Sequence, residues 1–174
     1  MRGDNMKFRN LEITYDNGTV DISIIKDVEN IFNIKFPKLY VELISKHNNL
    51  SVEPSYITYY DSYNKEDGMA AIGFDSFETE QNPDPQNICR QYIYDDPTYG
   101  YEAVYSFART GNGDFICFDY REDPNGDEPK ICIVIHDEYD EKTGKMLLFP
   151  VANNFEEFLD SLKSFDEIMA KYST

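Results

Sequence analysis

The chain has 174 residues and a mass of 20.3 kDa, the usual size of one compact domain, so we expect a single domain over residues 1–174. Its 33 acidic residues outnumber the 16 lysines and arginines, and the net charge of −17 argues against nucleic-acid and anionic-membrane partners. Hydrophobic residues make up 41% of the chain, which is enough to fill a core and excludes an intrinsically disordered chain.

Two helices are predicted in the N-terminal third. After Asp21, whose side chain can cap a helix, apolar residues recur at spacings of three and four, which is typical of one helical face. These apolar residues are Ile24, Ile25, Val28, Ile31 and Phe32. Pro37 suits the first position of a second helix that buries Tyr40, Leu43 and Ile44. We expect this helix to end near His47, because the pair Asn48–Asn49 tolerates left-handed backbone geometry.

Aromatic and apolar runs at residues 56–60 and 69–74 predict two strands, joined by a polar turn at residues 64–68. The segment 78–99 contains Pro83, Pro85 and Pro97, and we expect it to be a loop with a short helix around residues 87–94.

Four further strands are predicted beyond this loop. Residues 102–107 are extended, the turn Gly111–Asn112–Gly113 follows, and residues 114–120 and 130–136 are apolar on both faces, so we expect the last two to pair as a central hairpin. The segment 137–144 is predicted as an acidic loop before a strand at residues 146–151.

The sequence ends with a predicted helix. Asn154 and Glu157 have the spacing of a capping box, and a long apolar stripe follows from Phe155 to Met169. The order of elements predicts an α+β fold with an antiparallel sheet of about six strands, two N-terminal helices and one C-terminal helix.

No apolar window of about 18 residues and no N-terminal apolar segment is present in the sequence, so we expect neither a membrane span nor a leader. Three cysteines, Cys89, Cys117 and Cys132, make an odd number without paired spacing, which favours a reducing compartment. We therefore predict a cytoplasmic location.

Four segments together carry a resemblance to a known family. They are Phe36-Pro37-x-x-Tyr40-x-x-Leu43-Ile44-x-x-His47-Asn48, Gly111-Asn112-Gly113-Asp114-Phe115-x-Cys117-Phe118-Asp119-Tyr120-Arg121, Pro129-Lys130-Ile131 and Val151-Ala152-x-x-Phe155-Glu156-Glu157-Phe158-Leu159. In this order and spacing they resemble the Smi/Knr branch of the SUKH superfamily over roughly residues 22–163. One departure is Asn49–Leu50, where many relatives carry two glycines.

The resemblance implies an α+β domain, most often a bacterial immunity protein that binds and neutralises a toxin domain encoded beside it, frequently a nuclease. The same branch includes fungal scaffold regulators of cell-wall synthesis, which the sequence also resembles. An intracellular scaffold or regulatory module of the same fold is therefore the alternative function. The family has no shared catalytic residues, so the resemblance implies neither an enzyme nor a cofactor.

Three charged residues raise the alternative of a metal-dependent nuclease. Asp119, Glu128 and Lys130 follow the order Asp, then Glu-x-Lys, as in metal-dependent nucleases. Pro129 stands between Glu128 and Lys130, and because proline removes a hydrogen bond from a sheet, Glu128 is predicted to lie in a loop. The negative charge of the chain would also repel a nucleic-acid substrate.

Metal and phosphate sites are disfavoured by their spacing. A calcium loop with Gly126 in its sixth position would begin at Arg121, which cannot be a ligand, so residues 123–128 are predicted as a turn. Cys117, Cys132, His136 and His47 lack a C-x-x-C pair, so buried core cysteines are favoured over a zinc site. Gly111 and Gly113 lack the third glycine of a phosphate-binding loop.

The remaining hypothesis is protein binding through acidic and aromatic residues. Residues 1–52 carry no net charge, whereas residues 53–102 and 103–174 carry −9 and −8. Tyrosines 92, 94, 99, 101 and 105 lie among acids, and Tyr99 is the preferred anchor, whereas Tyr105 and Tyr101 can be core positions. The predicted toxin-binding residues are Asp95, Asp96, Tyr99, Asp123, Asp127, Glu128, Glu138 and Asp140, facing a basic toxin such as a nuclease domain.

Overall fold

A computed structural model describes residues 6–83, 87–89 and 100–172 of the chain. Within these ranges the helices are α1 (Ile22–Phe32), α2 (Lys38–Lys46), α3 (Phe155–Ser161) and α4 (Phe165–Tyr172). The strands are β1 (Lys7–Phe8), β2 (Leu11–Tyr15), β3 (Ser51–Glu53), β4 (Tyr56–Asp61), β5 (Glu66–Phe74), β6 (Val104–Thr110), β7 (Phe115–Asp119), β8 (Lys130–Tyr139) and β9 (Met146–Ala152).

The main sheet contains the strands β4 to β9 in sequence order, and every neighbouring pair is antiparallel. The predicted central hairpin is confirmed, because β7 pairs with β8 and Cys117 lies opposite Cys132. The sheet curls until its first and last strands meet, where the rings of Tyr59 and Phe149 stack at 6.1 Å. The predicted α+β fold with a six-stranded antiparallel sheet is confirmed.

A second sheet, formed by β1, β2 and β3, is not among the predicted elements. Its longest strand, β2, has five residues, and only Leu11 and Ile13 of it are buried. Such a short alternation in a polar segment is a weak sequence signal, because strands are recognised by repeated alternation.

The core lies between the inner face of the main sheet and the helices. Phe107 and Phe118 stack with ring centroids 4.1 Å apart, and the ring of Tyr40 from α2 meets Phe118 edge-on at 5.1 Å. Phe155 of α3 packs 5.5 Å from Tyr40, and all four side chains are fully buried. Burial of such aromatic rings stabilises the fold by several kcal/mol for each side chain, an order-of-magnitude figure.

The predicted helix boundaries are largely confirmed. The Asp21 carboxylate accepts a hydrogen bond from the Ser23 amide over 2.8 Å and caps α1. Pro37 immediately precedes α2 and does not occupy its first position, and the helix ends at Lys46 with Asn49 in the left-handed region at φ 52°. The exposed side chain of Ile31 departs from the predicted stripe.

The C-terminal helix differs from its prediction, because the structure has two helices there in place of one. Lys163 leaves the helical path and exchanges two backbone hydrogen bonds with Tyr56 of β4, at 2.8 and 2.9 Å. The chain then turns at Ser164, whose hydroxyl accepts from the Glu167 amide and starts α4. Pairing with β4 therefore interrupts an apolar pattern that is continuous in the sequence.

Two strands extend further than predicted. β5 begins at Glu66, inside the predicted turn, and β8 continues to Tyr139, so the acidic loop between β8 and β9 is shorter than predicted. Among the helices of the described ranges, none is long and apolar enough to cross a bilayer.

Candidate partner-binding surface

The predicted acidic residues lie in two separate turns of the main sheet. Asp123, Asp127 and Glu128 lie between β7 and β8, at the start of β8, whereas Glu138 and Asp140 lie at its end. β8 has ten residues but is bulged against β9, where Ile131 lies opposite Ala152 and Tyr139 opposite Met146, so its two ends are separated by the length of β9, about 20 Å at about 3.3 Å per residue. The structure therefore brings the acids together within each turn but keeps the two turns apart.

The first turn, called the entry turn here (residues 122–128), is held by main-chain hydrogen bonds. The Asp123 amide donates to the Tyr120 carbonyl and the Gly126 amide donates to the Asp123 carbonyl, both over 3.2 Å. The Asp123 carboxylate packs against Gly126, where any Cβ would lie 2.2 Å from its Oδ2 atom. This tight geometry confirms the predicted turn, with Asp123 and Glu128 exposed and Asp127 half-buried.

The second turn, called the exit turn here (residues 138–145), closes the hairpin of β8 and β9. The Asp140 carboxylate accepts hydrogen bonds from the Lys142 amide at 2.7 Å and the Thr143 amide at 3.1 Å. Glu138 is exposed, and so is the neighbouring Tyr139. The exit turn therefore presents an aromatic ring between two carboxylates.

The acids of both turns keep their charge available. Within the described ranges, none of Asp123, Asp127, Glu128, Glu138 and Asp140 forms a salt bridge. Two basic residues beside the entry turn are engaged by other acids. Lys130 pairs with Glu122 at 2.8 Å, and Arg121 makes two hydrogen bonds of 2.8 Å to the Asp119 carboxylate. The pairing with Asp119 raises the pKa of Arg121 and fixes its positive charge.

Between the two turns, the outer face of the main sheet carries a small apolar cluster, separate from the main core. The cluster consists of Val104, Cys117, Cys132 and Val134, with Tyr101, Phe115, Met146 and Leu148 packed against it. The Tyr101 hydroxyl donates to the Met146 carbonyl over 2.6 Å. The Arg121 guanidinium lies 5.3 Å and the Lys145 ammonium 5.1 Å from the centre of the Tyr101 ring. Tyr101 therefore connects side chains that lie near the two acidic turns.

Two hollows flank this cluster. One, of about 400 Å³, lies beside the start of β8 and is lined by Glu122, Lys130 and Leu148 among others. The other, of about 380 Å³, lies beside the exit turn and is lined by Asp140, Lys145 and Leu148 among others. Leu148 lines both hollows, so it lies between the start of β8 and the exit turn.

Three of the predicted binding residues, Asp95, Asp96 and Tyr99, lie outside the described residues, as do Tyr92 and Tyr94. The described chain resumes at Gly100, which has a φ of +90° and would bring a Cβ within 2.9 Å of the Lys145 side chain.

Tyr105 is a core residue, as the sequence allowed. Its ring stacks on Phe32 of α1 at 4.9 Å, and its hydroxyl donates to the Phe32 carbonyl. Burial raises the pKa of the Tyr105 hydroxyl. Tyr105 therefore packs the sheet against α1.

Two of the three residues that suggest a metal-dependent nuclease, Asp119 and Lys130, are paired with other side chains. β8 begins at Lys130, after the buried Pro129, so Glu128 lies in the entry turn as predicted and not on a strand. Asp119 is paired with Arg121, and Lys130 is paired with Glu122. Asp119 and Glu128 are therefore not arranged as two carboxylates that share a metal ion.

The cysteines and histidines are likewise dispersed. Cys117 and Cys132 face each other across β7 and β8, and burial raises the pKa of the Cys117 thiol well above its usual range. His136 is paired with Asp137 and His47 with Asp16, each over 2.9 Å. Across the part of the chain that the structure describes, no group of three or more His, Cys, Asp or Glu side chains is arranged to hold a metal ion.

The chain matches a model of a known protein family. A family model described as the SMI1 / KNR4 family (SUKH-1) matches residues 19–161. The matched range runs from just before α1 to the end of α3 and includes both acidic turns. A search of the curated proteins finds no match.

Proposed function

Because the chain belongs to the SMI1 / KNR4 family (SUKH-1), we propose that it is an immunity protein that binds a cognate toxin and neutralises it by stoichiometric occlusion. The family supports a role in binding a protein partner. The acidic turns support the choice of a basic partner, such as a toxin with nuclease activity. A cytoplasmic location belongs to the same proposal.

The observation that carries this proposal is the set of five acidic side chains in the entry and exit turns that form no salt bridge with any described residue. A carboxylate already paired within its own chain has little charge left for a partner, whereas an unpaired one attracts a basic surface. The groove of a nuclease is basic because it must bind phosphates. An acidic protein surface can therefore occupy such a groove in place of the nucleic acid.

The spacing of the turns fits one interface. A typical protein interface buries about 800 Å² on each partner, which corresponds to a disc about 32 Å across. The two turns, about 20 Å apart along the sheet, would both lie within such a disc, with the outer face between them. The proposed interface also includes Asp95, Asp96 and Tyr99, which precede Gly100 in the chain.

Neutralisation by occlusion needs neither a cofactor nor a reaction. The bound immunity protein excludes the substrate for as long as the complex lasts, so protection requires at least one copy for each toxin molecule. The charge of −17 raises the rate of encounter with a basic toxin, and the contacts of the outer face would determine how long the complex persists.

The proposal is tested by co-expression with the toxin domain encoded beside its gene, with growth and co-purification as readouts. One variant reverses the entry turn (Asp123→Lys, Asp127→Lys, Glu128→Lys), and a second changes the exit turn (Glu138→Lys, Asp140→Asn). The Asp140→Asn change keeps an oxygen for the two amides that the turn requires. A control with Asp27→Lys, Glu53→Lys and Glu66→Lys has the same net charge as the entry-turn variant.

We expect the wild type and the control to protect, and each turn variant to lose protection at low expression. Equal loss in the control and in the turn variants would show that net charge alone acts and would contradict the proposed interface. If the wild type neither protects nor co-purifies with the toxin, the immunity function itself is wrong, and the scaffold alternative takes its place.

A further inference from the structure

A groove beside the entry turn, on the N-terminal part of the molecule, is lined by more lysines than acids. It has a volume of about 700 Å³ and lies between α1, the segment joining α1 to α2, and residues 124–127 of the entry turn. Three lysines line it: Lys26 of α1, Lys35 of the joining segment and Lys38 of α2. We call it the lysine groove.

The charges of these lysines are free within the described chain. All three side chains are exposed, and none forms a salt bridge with a described residue. Two acids also line the groove. The Glu29 carboxylate is occupied by a 2.7 Å hydrogen bond from the Phe36 amide, and Asp127 lies on the opposite wall, in the entry turn. The helical side of the groove is therefore basic.

The distant acids of the chain do not cancel this local charge. At physiological ionic strength, charges more than about 8 Å apart in solvent are largely screened. A bound group therefore responds mainly to the side chains that line the groove. Three lysines and two acids line the groove, so its local charge is positive even though the whole chain carries −17.

The same groove offers apolar contacts. Ile22, Ile34 and Val41 line it, and Ile22 is 44% exposed, a large fraction for an isoleucine at a helix start. Burial of an apolar side chain contributes in proportion to the area removed from water. An occupant with both apolar and acidic groups therefore fits better than a simple anion.

The walls of the groove are held in place before anything binds. The Tyr120 hydroxyl donates to the Lys35 carbonyl over 2.6 Å, and Asn33 ends α1 in the left-handed region with its amide directed at the helix carbonyls. Together with the bond from Phe36 to Glu29, these contacts fix the joining segment. Binding would then cost little ordering of the chain.

From this charge and shape we infer that the lysine groove is a second docking site, for an extended segment of a partner protein in which apolar side chains alternate with carboxylates. A second copy of this chain is the alternative occupant, which the ultracentrifugation experiment below tests. The groove shares Asp127 with the entry turn, but the inference does not rest on the proposed function, because it concerns a partner of opposite charge and is tested without the toxin.

The test uses a peptide probe of the sequence Glu-Leu-Glu-Trp-Glu-Leu-Glu. The protein contains no tryptophan, so the fluorescence anisotropy of the peptide reports binding without a label. A Gln-Leu-Gln-Trp-Gln-Leu-Gln peptide keeps the apolar groups and removes the charge. The groove variant is Lys26→Glu, Lys35→Glu and Lys38→Glu. A matched control, Lys7→Glu, Lys65→Glu and Lys142→Glu, reverses three exposed lysines that likewise form no salt bridge within the described part of the chain.

We expect the acidic peptide to bind the wild type and the control with affinities within about threefold, and the groove variant to bind at least about tenfold more weakly, because three contacts are reversed together. The glutamine peptide should bind about tenfold more weakly than the acidic one. Circular dichroism must show the same melting temperature for both variants.

Three results would overturn the inference: no binding of the acidic peptide to the wild type, equal losses in the two variants, or equal binding of the two peptides. Analytical ultracentrifugation of the wild type tests whether a second copy of the chain occupies the groove. A dimer that the groove variant abolishes would assign the groove to a second copy and contradict a separate partner, whereas a monomer supports it. Toxin protection is measured apart from these readouts, so its failure leaves this result unaffected.

Discussion

The side chain of Asn48 pairs with the backbone of Phe77 as a neighbouring strand would. Its Oδ1 atom accepts from the Phe77 amide over 2.9 Å, and its Nδ2 atom donates to the Phe77 carbonyl over 2.8 Å. Asn48 is fully buried, and its own amide donates to the Gly18 carbonyl over 2.8 Å. One residue at the end of α2 thus joins the loop before α1 to the segment that follows β5.

Substitution of Asn48 should destabilise the protein strongly. In Asn48→Ala the buried amide and carbonyl of Phe77 lose a partner, and we expect a loss of about 2–4 kcal/mol in the free energy of unfolding. Asn48→Asp should cost a comparable amount, because an ionised carboxylate cannot donate to the Phe77 carbonyl. Urea unfolding measures both. Asn125→Ala, at an exposed position, is the control, and an Asn48→Ala loss no larger than the control's would contradict the role.

Stability should fall in alkaline solution, in part through Tyr120. Burial raises the pKa of its hydroxyl far above the usual value near 10. Below pH ~10 the Tyr120 hydroxyl is protonated in both the folded and the unfolded chain. Above pH ~10 it stays protonated only in the folded chain, so each rise of one pH unit lowers the free energy of unfolding by up to about 1.4 kcal/mol through this group.

Tyr120→Phe isolates this contribution. The variant loses the hydrogen bond to Lys35, which should cost about 1 kcal/mol near neutral pH, but its stability should decline less steeply above pH ~10. Part of the decline in stability should remain in the variant, because the buried hydroxyl of Tyr40 also has a raised pKa. Urea unfolding at several pH values measures both slopes. Parallel curves for the variant and the wild type would show that Tyr120 does not titrate in this way.

The rate of association with the proposed toxin should fall steeply with salt. The acidic excess lies beyond residue 52, and the Debye length shrinks from about 10 Å at 0.1 M to about 3 Å at 1 M salt. Stopped-flow mixing at several salt concentrations measures the association rate. A rate independent of salt would exclude electrostatic steering and leave the family membership unaffected.

Tyr99 remains the preferred anchor among the residues that the structure does not describe. Tyr99→Ala should weaken toxin binding by about 2 kcal/mol, roughly thirtyfold, because a few aromatic residues carry most of the energy of an interface. The melting temperature should change little. Tyr105→Ala is the comparison: because Tyr105 packs in the core, its loss should clearly lower the melting temperature. If Tyr99→Ala unfolds the protein, the residue is part of the packing and the anchor lies elsewhere.

Much of the fold follows from local sequence patterns. Asp21 and Asn154 predict where two helices begin, because a short polar side chain can satisfy the free amides of a helix start within three residues. The apolar runs around Cys117 and Cys132 predict a central hairpin, since a strand buried on both faces has few other places in a sheet. The charge separation between residues 1–52 and the rest is likewise a property of the sequence alone.

The tertiary structure decides what depends on distant partners. The break between α3 and α4 arises because Lys163 pairs with Tyr56, a contact that no local pattern records. The separation of the entry and exit turns follows from the length of β8 in the sheet, and the lysine groove exists only because α1, α2 and the entry turn meet in space. A sequence determines which residues can be acidic, basic or buried, but their grouping into a surface depends on contacts between residues far apart in the chain.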